Sequence, residues 1–271
     1  MEIIILTPVF NDWASLQVLV GEIHSCLCAK FTTIHVIAIN DCSDEGFPDD
    51  FIIPEGILLT IIDLAVNVGH QRAMTIGLCY LSEYQHQSAH IIIMDSDGED
   101  KPSDILSLIT MAEKEDKMQV IFAQRIKRSE TIRFKLFYLL YKILFKFLTG
   151  NEIKFGNFSC LPVSFVPQVI NNPNFWNHYS ASILKANMPY TYVKTERGKR
   201  YSGISQMKFN NLILHGLSSL SIYLDIIVLR LLKFTFFAIL AVFIALFALI
   251  YVKYFTDLAI PGWTSLLFSI S

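Results

Sequence analysis

Four apolar residues, Ile91, Ile92, Ile93 and Met94, run straight into Asp95, Asp97, Glu99 and Asp100, with Lys101 and Pro102 closing the segment. The apolar run reads as a buried strand. A parallel strand delivers whatever follows its carboxyl end to the ligand crevice of an open sheet, so Asp95, Asp97 and Glu99 are aimed at one place. Hard carboxylate oxygens suit Mg²⁺ or Mn²⁺, which keep several waters and bridge to substrate phosphates. The segment predicts a metal-nucleotide site. A calcium loop of the EF-hand kind needs Gly and Glu where this chain places Asp100 and Leu106, and is excluded.

The elements that must position this loop follow from the hydropathy pattern. Short apolar runs at 3–6, 34–39, 58–62, 91–94 and 120–123 predict strands, and stretches of helical spacing at 13–29, 71–81 and 103–112 lie between them. Their alternation predicts a doubly wound, mostly parallel α/β layer. The chain has no Gly-x-x-x-x-Gly-Lys-Ser/Thr and no Gly-x-Gly-x-x-Gly, so neither a P-loop nor a dinucleotide fingerprint supplies the phosphate site.

Charge and hydropathy divide the 271 residues in two. Residues 1–120 hold five Lys/Arg against nineteen Asp/Glu, whereas residues 121–271 hold seventeen against five. The acidic half suits a cation, and the basic half suits phosphate and anionic headgroups. Arg128, Lys135, Lys142 and Lys146 share one face of a helix that is otherwise Phe, Leu and Tyr, so residues 131–148 are expected to lie in a membrane interface. Residues 234–252 carry no charge, and at about 1.5 Å per residue they are long enough to cross a bilayer. Basic residues upstream of that span (Lys208, Arg230, Lys233) place the larger N-terminal part in the cytoplasm, on the inner face of the cell membrane. The N-terminus reads as a strand rather than an export signal, and the five cysteines show no zinc-type pairing and fit a reducing compartment. The expected organisation is a catalytic domain at 1–200, a juxtamembrane helical segment at 201–230 and a membrane segment at 231–271, in which 263–271 begins a second apolar run.

Six short signatures then fall in order. They are Thr7-Pro8-Val9-Phe10-Asn11-Asp12, Asn40-Asp41-Cys42-Ser43-Asp44, Asn67-Val68-Gly69-His70-Gln71, the acidic loop at Asp95, Arg125 after the next strand, and Arg200-Tyr201-Ser202-Gly203-Ile204-Ser205 before the membrane span. With them the chain resembles the family-2 glycosyltransferases of the GT-A fold, in the branch of dolichyl-phosphate mannose synthase and bacterial polyprenyl-phosphate glycosyltransferases. The resemblance implies a nucleotide-sugar donor whose base and ribose meet Pro8, Phe10, Asp12 and Asp41. It implies a Mn²⁺ or Mg²⁺ ion on the donor diphosphate at Asp97, with Asp95 and Glu99 beside it, and Arg200 neutralising the leaving group. Where relatives often carry Gln, this chain has Glu99.

The implied reaction is inverting transfer to a membrane-bound polyprenyl phosphate, an acceptor whose oxygen is already anionic. Arg125 and Arg128 are expected to hold that phosphate. Two positions depart from better-known relatives: Asn157 stands where many carry a carboxylate, and Gln206 where many carry Lys. His178, in Trp176-Asn177-His178-Tyr179, is the nearby residue with a pKa suited to proton transfer, and it becomes a candidate base if the acceptor is instead a hydroxyl of a lipid-linked saccharide. More remote alternatives are a haloacid-dehalogenase-like phosphatase, which would use Asp95 as nucleophile, and an inactive membrane scaffold. Expected partners are the donor, the lipid acceptor, the membrane and a second copy in a homo-oligomer, with no nucleic acid.

Overall fold

The computed structural model describes residues 2–83, 90–114, 118–126, 132–152, 155–202, 209–256 and 262. In chain order the elements are β1 (Glu2–Val9), α1 (Trp13–Leu27), β2 (Thr33–Asn40), β3 (Ile57–Asp63), α2 (His70–Glu83), β4 (His90–Ile93), α3 (Pro102–Lys114), β5 (Val120–Arg125) and α4 (Ile132–Thr149). They continue with β6 (Ser159–Pro162), α5 (Val166–Ile170), α6 (Tyr179–Lys185), β7 (Tyr190–Thr195), α7 (Phe209–Ser221) and α8 (Leu224–Phe255). Residues 1–222 and 223–271 form two compact units.

Among the described residues the strands make one sheet in the order β3-β2-β1-β4-β6-β5-β7. From β3 to β4 all pairs are parallel, β6 runs antiparallel to both its neighbours, and β7 returns parallel to β5. β1 explains why the centre of the sheet is so apolar. It is buried from Ile3 to Val9, with Ile3, Ile5 and Val9 packed in the layer of α1 and α3, and Ile4 and Leu6 in the layer of α2, α5 and α6. A strand covered on both faces has no position for a solvated side chain. α2 lies close against it because residue 77 is Gly, where a Cβ would run into Leu6 Cδ1.

Chain order reverses at β1, whose two neighbours are β2 and β4. This is the switch point of the sheet, and the loops after β1, β2 and β4 open at the same edge. The expected strands and helices of the first 123 residues are all present. β6 and β7 were not expected. β6 is only Ser-Cys-Leu-Pro, too short to show a period, and β7 is a partly exposed edge reading Tyr-Thr-Tyr-Val-Lys-Thr.

α4 packs against α7, with the Tyr141 hydroxyl reaching the Gly216 carbonyl at 3.4 Å. Phe145 is buried, while Leu139, Leu140, Ile143, Leu144 and Phe147 on the same helix are exposed. In the second unit, α8 has 32 residues and a mean hydropathy of 2.8 over its most apolar window, long and apolar enough to cross a membrane. It starts at Leu224, upstream of the uncharged stretch.

β5 carries Phe122 in its middle and Arg125 at its end. Phe122 is fully buried and stacks on Phe155 with ring centroids 4.0 Å apart, with Tyr179 and Tyr190 at its edges. Phe122→Ala is expected to cost about 3–5 kcal/mol. Thermal unfolding followed by circular dichroism checks this as a lowered midpoint for the first unit.

Candidate active site

The acidic loop leaves the sheet at its switch point and is folded by its own side chains. The Met94 N–H still donates to the Leu6 carbonyl at 3.1 Å, extending β4 against β1. Beyond it, Asp100 Oδ2 accepts from the Asp95 N–H at 3.0 Å and Asp97 Oδ1 from the Glu99 N–H at 2.9 Å. Gly98 turns the chain with φ of 87°, and Tyr201 and the Lys199 carbonyl lie so close that a Cβ there would come within 2.9 Å of both. Residues 197–202 cross over the loop as a strap. The Gly198 N–H donates to the Glu99 carbonyl at 2.8 Å and the Tyr201 N–H to the Asp97 carbonyl at 3.0 Å. The strap is tied down by Tyr201 Oη donating to Glu22 at 2.6 Å and by Ser202 Oγ donating to Asp12 at 3.1 Å. A cleft of about 480 Å³ beside it is lined by Gly98, Lys101, Ser103, Lys199, Arg200 and Tyr201, among others.

Guanidinium groups from β5 and from the strap converge on the loop. Arg200 Nη2 is 2.5 Å from Asp97 Oδ2, and its Nε is 3.5 Å from Glu99 Oε1. Arg197 Nη2 is 2.5 Å from Glu99 Oε1. Arg125 meets Asp100 Oδ1 at 2.7 Å and Glu99 Oε2 at 3.3 Å. Glu99, expected among the metal ligands, thus has both oxygens held by arginines. Arg125, expected at an acceptor phosphate, is held by two carboxylates.

The ionisation of the loop follows from these contacts. Burial, reinforced by Asp100 and Asp97, pushes the Asp95 carboxyl up to about 8. Burial also raises Asp100, although Arg125 opposes it. For Glu99 burial works against the charged form, but Arg197, Arg125 and Arg200 outweigh it and lower the pKa.

The donor-side residues occupy the neighbouring loops. Phe10 follows β1 and is 49% exposed, available as a stacking surface, while Pro8 is buried within the strand. Asp12 caps α1 by accepting from the Ser15 N–H at 3.2 Å. Asp41 is buried, and its two oxygens accept from the Val68 and Gly69 N–H groups at 2.7 and 2.9 Å, which pins the third signature loop to the second. Asn11 joins the first loop to the second: it adopts φ of 51°, its Nδ2 donates to Asp44 at 2.8 Å, and its Oδ1 accepts from the Asp44 N–H at 2.7 Å. Asn11, Arg197 and Asp100 are site residues that sequence reasoning did not assign, although an Asn in the turn after a strand is a signal for left-handed backbone.

His178 is 4% exposed and precedes α6 as its N-cap, where Nδ1 faces the Ala181 N–H at 3.4 Å. Its neighbour Tyr179 is tied to α2 through its N–H and Gln71 Oε1, 2.7 Å apart. Asn157 precedes β6, its carbonyl accepting from Ser159 Oγ at 2.9 Å. Arg128, Ser205 and Gln206 lie outside the described residues, as does the apolar run 263–271.

An open sheet with a carboxylate loop at its switch point, flanked by the loops after β1 and β2, defines a transferase fold of the GT-A type. Residues 4–166 match the model of glycosyl transferase family 2, and the chain belongs to that family. A relative from Bacillus subtilis (strain 168), an uncharacterized glycosyltransferase YkcC, is 24% identical over 97% of this chain and 81% of its own length. Among solved structures, glucosyl-3-phosphoglycerate synthase from Mycobacterium tuberculosis, in complex with Mn²⁺ and UDP-glucose, superposes with a TM-score of 0.59 at 10% identity, covering 83% of this chain and 78% of that one. TarS 1-349 of S. aureus gives a TM-score of 0.44 at 11% identity, covering 73% of this chain, which spans 59% of that structure's length. Membership of the family makes the chain a glycosyltransferase and sets the phosphatase alternative aside.

The raised pKa of Asp95 has a consequence for stability. A carboxyl that titrates near 8 when folded and near 4 when unfolded keeps its proton only in the folded state between those values, so stability falls as pH rises through that window. In buffer containing EDTA, Asp95→Asn is expected to melt above the wild type at pH 8, with the gap closing towards pH 4. Thermal melts across that range check it, and a gap independent of pH would contradict the assignment.

Proposed function

We propose that the protein is a metal-dependent, inverting glycosyltransferase that moves a sugar from a nucleotide-sugar to a membrane-bound polyprenyl phosphate. The observation carrying this reading is the pairing of Asp97 with Arg200 at the switch point, which sets a cation ligand beside a fixed cation for a diphosphate. Among the described residues no three acidic, His or Cys side chains converge on one point. Asp95 and Asp97 fit a magnesium- or manganese-type site of one or two carboxylates, completed by substrate phosphates and water. Such an ion, when bound, neutralises charge growing on the departing diphosphate.

The protein's own residues supply the rest. Phe10 offers a face to the base, and Asp12 and Asp41 lie beside it at the ends of β1 and β2. Arg200 exchanges Asp97 for the diphosphate, where its permanently charged guanidinium stabilises the leaving group. An acceptor phosphate oxygen forms the new bond at the anomeric carbon as the bond to the diphosphate breaks, and the electron pair departs with the nucleoside diphosphate. No proton has to be removed from such an acceptor. The burial of His178 as a helix cap supports a phosphate acceptor over a hydroxyl that needs a base. The exposed apolar face of α4 and the length of α8 support catalysis at a membrane surface, and the basic residues upstream of the span, Arg230 and Lys233, favour the cytoplasmic side for the first unit.

The full chain in detergent, supplied with nucleotide-sugars, Mn²⁺ and membrane lipid extract, is expected to give an acid-labile glycosyl phosphate. Asp97→Ala is expected to lower turnover by about 100-fold or more, since it removes a ligand of the metal that activates the leaving group. Full activity in EDTA, or an acid-stable glycoside as the product, would overturn the metal or the acceptor respectively.

A further inference from the structure

Asp100 lies outside the donor-side signatures, yet it is the most buried carboxylate of the acidic loop. Its side chain is 3% exposed, and both its oxygens are used: Oδ2 accepts from the Asp95 N–H at 3.0 Å and Oδ1 from Arg125 Nη2 at 2.7 Å. Arg125 is itself anchored. It closes β5, paired in register with Thr195 of β7, so its Cα is set by the sheet rather than by a loop. Its second nitrogen holds Glu99 at 3.3 Å. The backbone of Asp95 and the side chain of Glu99 are therefore referred to the sheet through a single guanidinium.

We infer that Asp100 and Arg125 are positioning residues for the reaction, clamping the loop so that Asp95 and Asp97 face a metal-diphosphate. The inference rests on the function proposed above. A carboxylate that takes a backbone N–H on one oxygen and one arm of a planar guanidinium on the other, while the second arm holds Glu99, fixes both the turn and its distance from the sheet. Lysine in place of Arg125 keeps the charge and loses the fork, so it cannot hold Asp100 and Glu99 together. Loss of an outer-shell partner of this kind typically costs about 10–100-fold in metal affinity or activity.

The test is titration calorimetry on the full chain in detergent, with Mn²⁺ plus UDP and Mn²⁺ plus GDP as probes. Wild type is compared with Asp100→Asn, Arg125→Met and Arg125→Lys, each with its melting temperature measured in EDTA. Wild type is expected to bind at least one probe. Asp100→Asn and Arg125→Met are expected to bind it about 10–100-fold more weakly, and Arg125→Lys to lie between them and wild type. Folded variants that bind as wild type does, with only the melting temperature lowered, reduce the pair to a stability role and overturn the inference alone. Wild type binding no metal-nucleotide overturns the proposed donor site and the inference with it. Should Asp100→Asn and Arg125→Met fail to fold, Arg125→Lys decides by the same criterion.

Discussion

Asp95, Asp97, Glu99 and Asp100 are crowded into one turn at the end of a buried strand, and their mutual repulsion must be answered. Two unit charges about 4 Å apart interact by about 4 kcal/mol near a protein surface. The answer comes from Arg125, Arg197 and Arg200, set on β5 and on the strap after β7. The sheet beyond β4 can be understood as the frame that brings these guanidinium groups to the loop. It also accounts for part of the segregation of charge along the chain, since the acidic loop belongs to the first half and its three arginine partners to the second.

The compensation is close to complete before any ligand arrives. With Asp95 protonated near neutral pH, three carboxylates face three guanidinium groups. In the proposed reaction Asp95 and Asp97 would hold a divalent cation in place of the Asp95 proton and the Arg200 contact, and Arg200 would turn to the leaving diphosphate as its counter-ion.

Much of this was legible in the sequence because the first half of the chain uses strong, local signals. Uninterrupted apolar runs mark strands covered on both faces, and Asp12, Asp41 and Asp95 each stand just past one. What stayed hidden depends on contacts between distant segments. Nothing in Arg197 taken alone shows that it ends on the acidic loop, nothing in Asp100 shows that Arg125 holds it, and β6 and β7 are too short or too exposed to carry a pattern. His178 is a different case: a titratable side chain beside aromatic residues suggested chemistry, and its position at the start of α6 gives its Nδ1 a capping contact that the sequence alone did not show.

Glu99 sharpens the chemistry of the site. A glutamine at this position would have one acceptor oxygen, for Arg197 or Arg125 but not both, and would leave the arginines in excess, so that a cationic loop would attract any free phosphate. With Glu99 ionised, and held so by those arginines, the loop is nearly neutral and offers a lone dianion little. In the proposed function a diphosphate paired with a divalent cation would meet Asp95 and Asp97 for the metal and Arg200 for its remaining charge. The extra carboxylate would then favour the metal complex of the donor over bare anions, a selectivity set by charge balance rather than by the shape of a pocket.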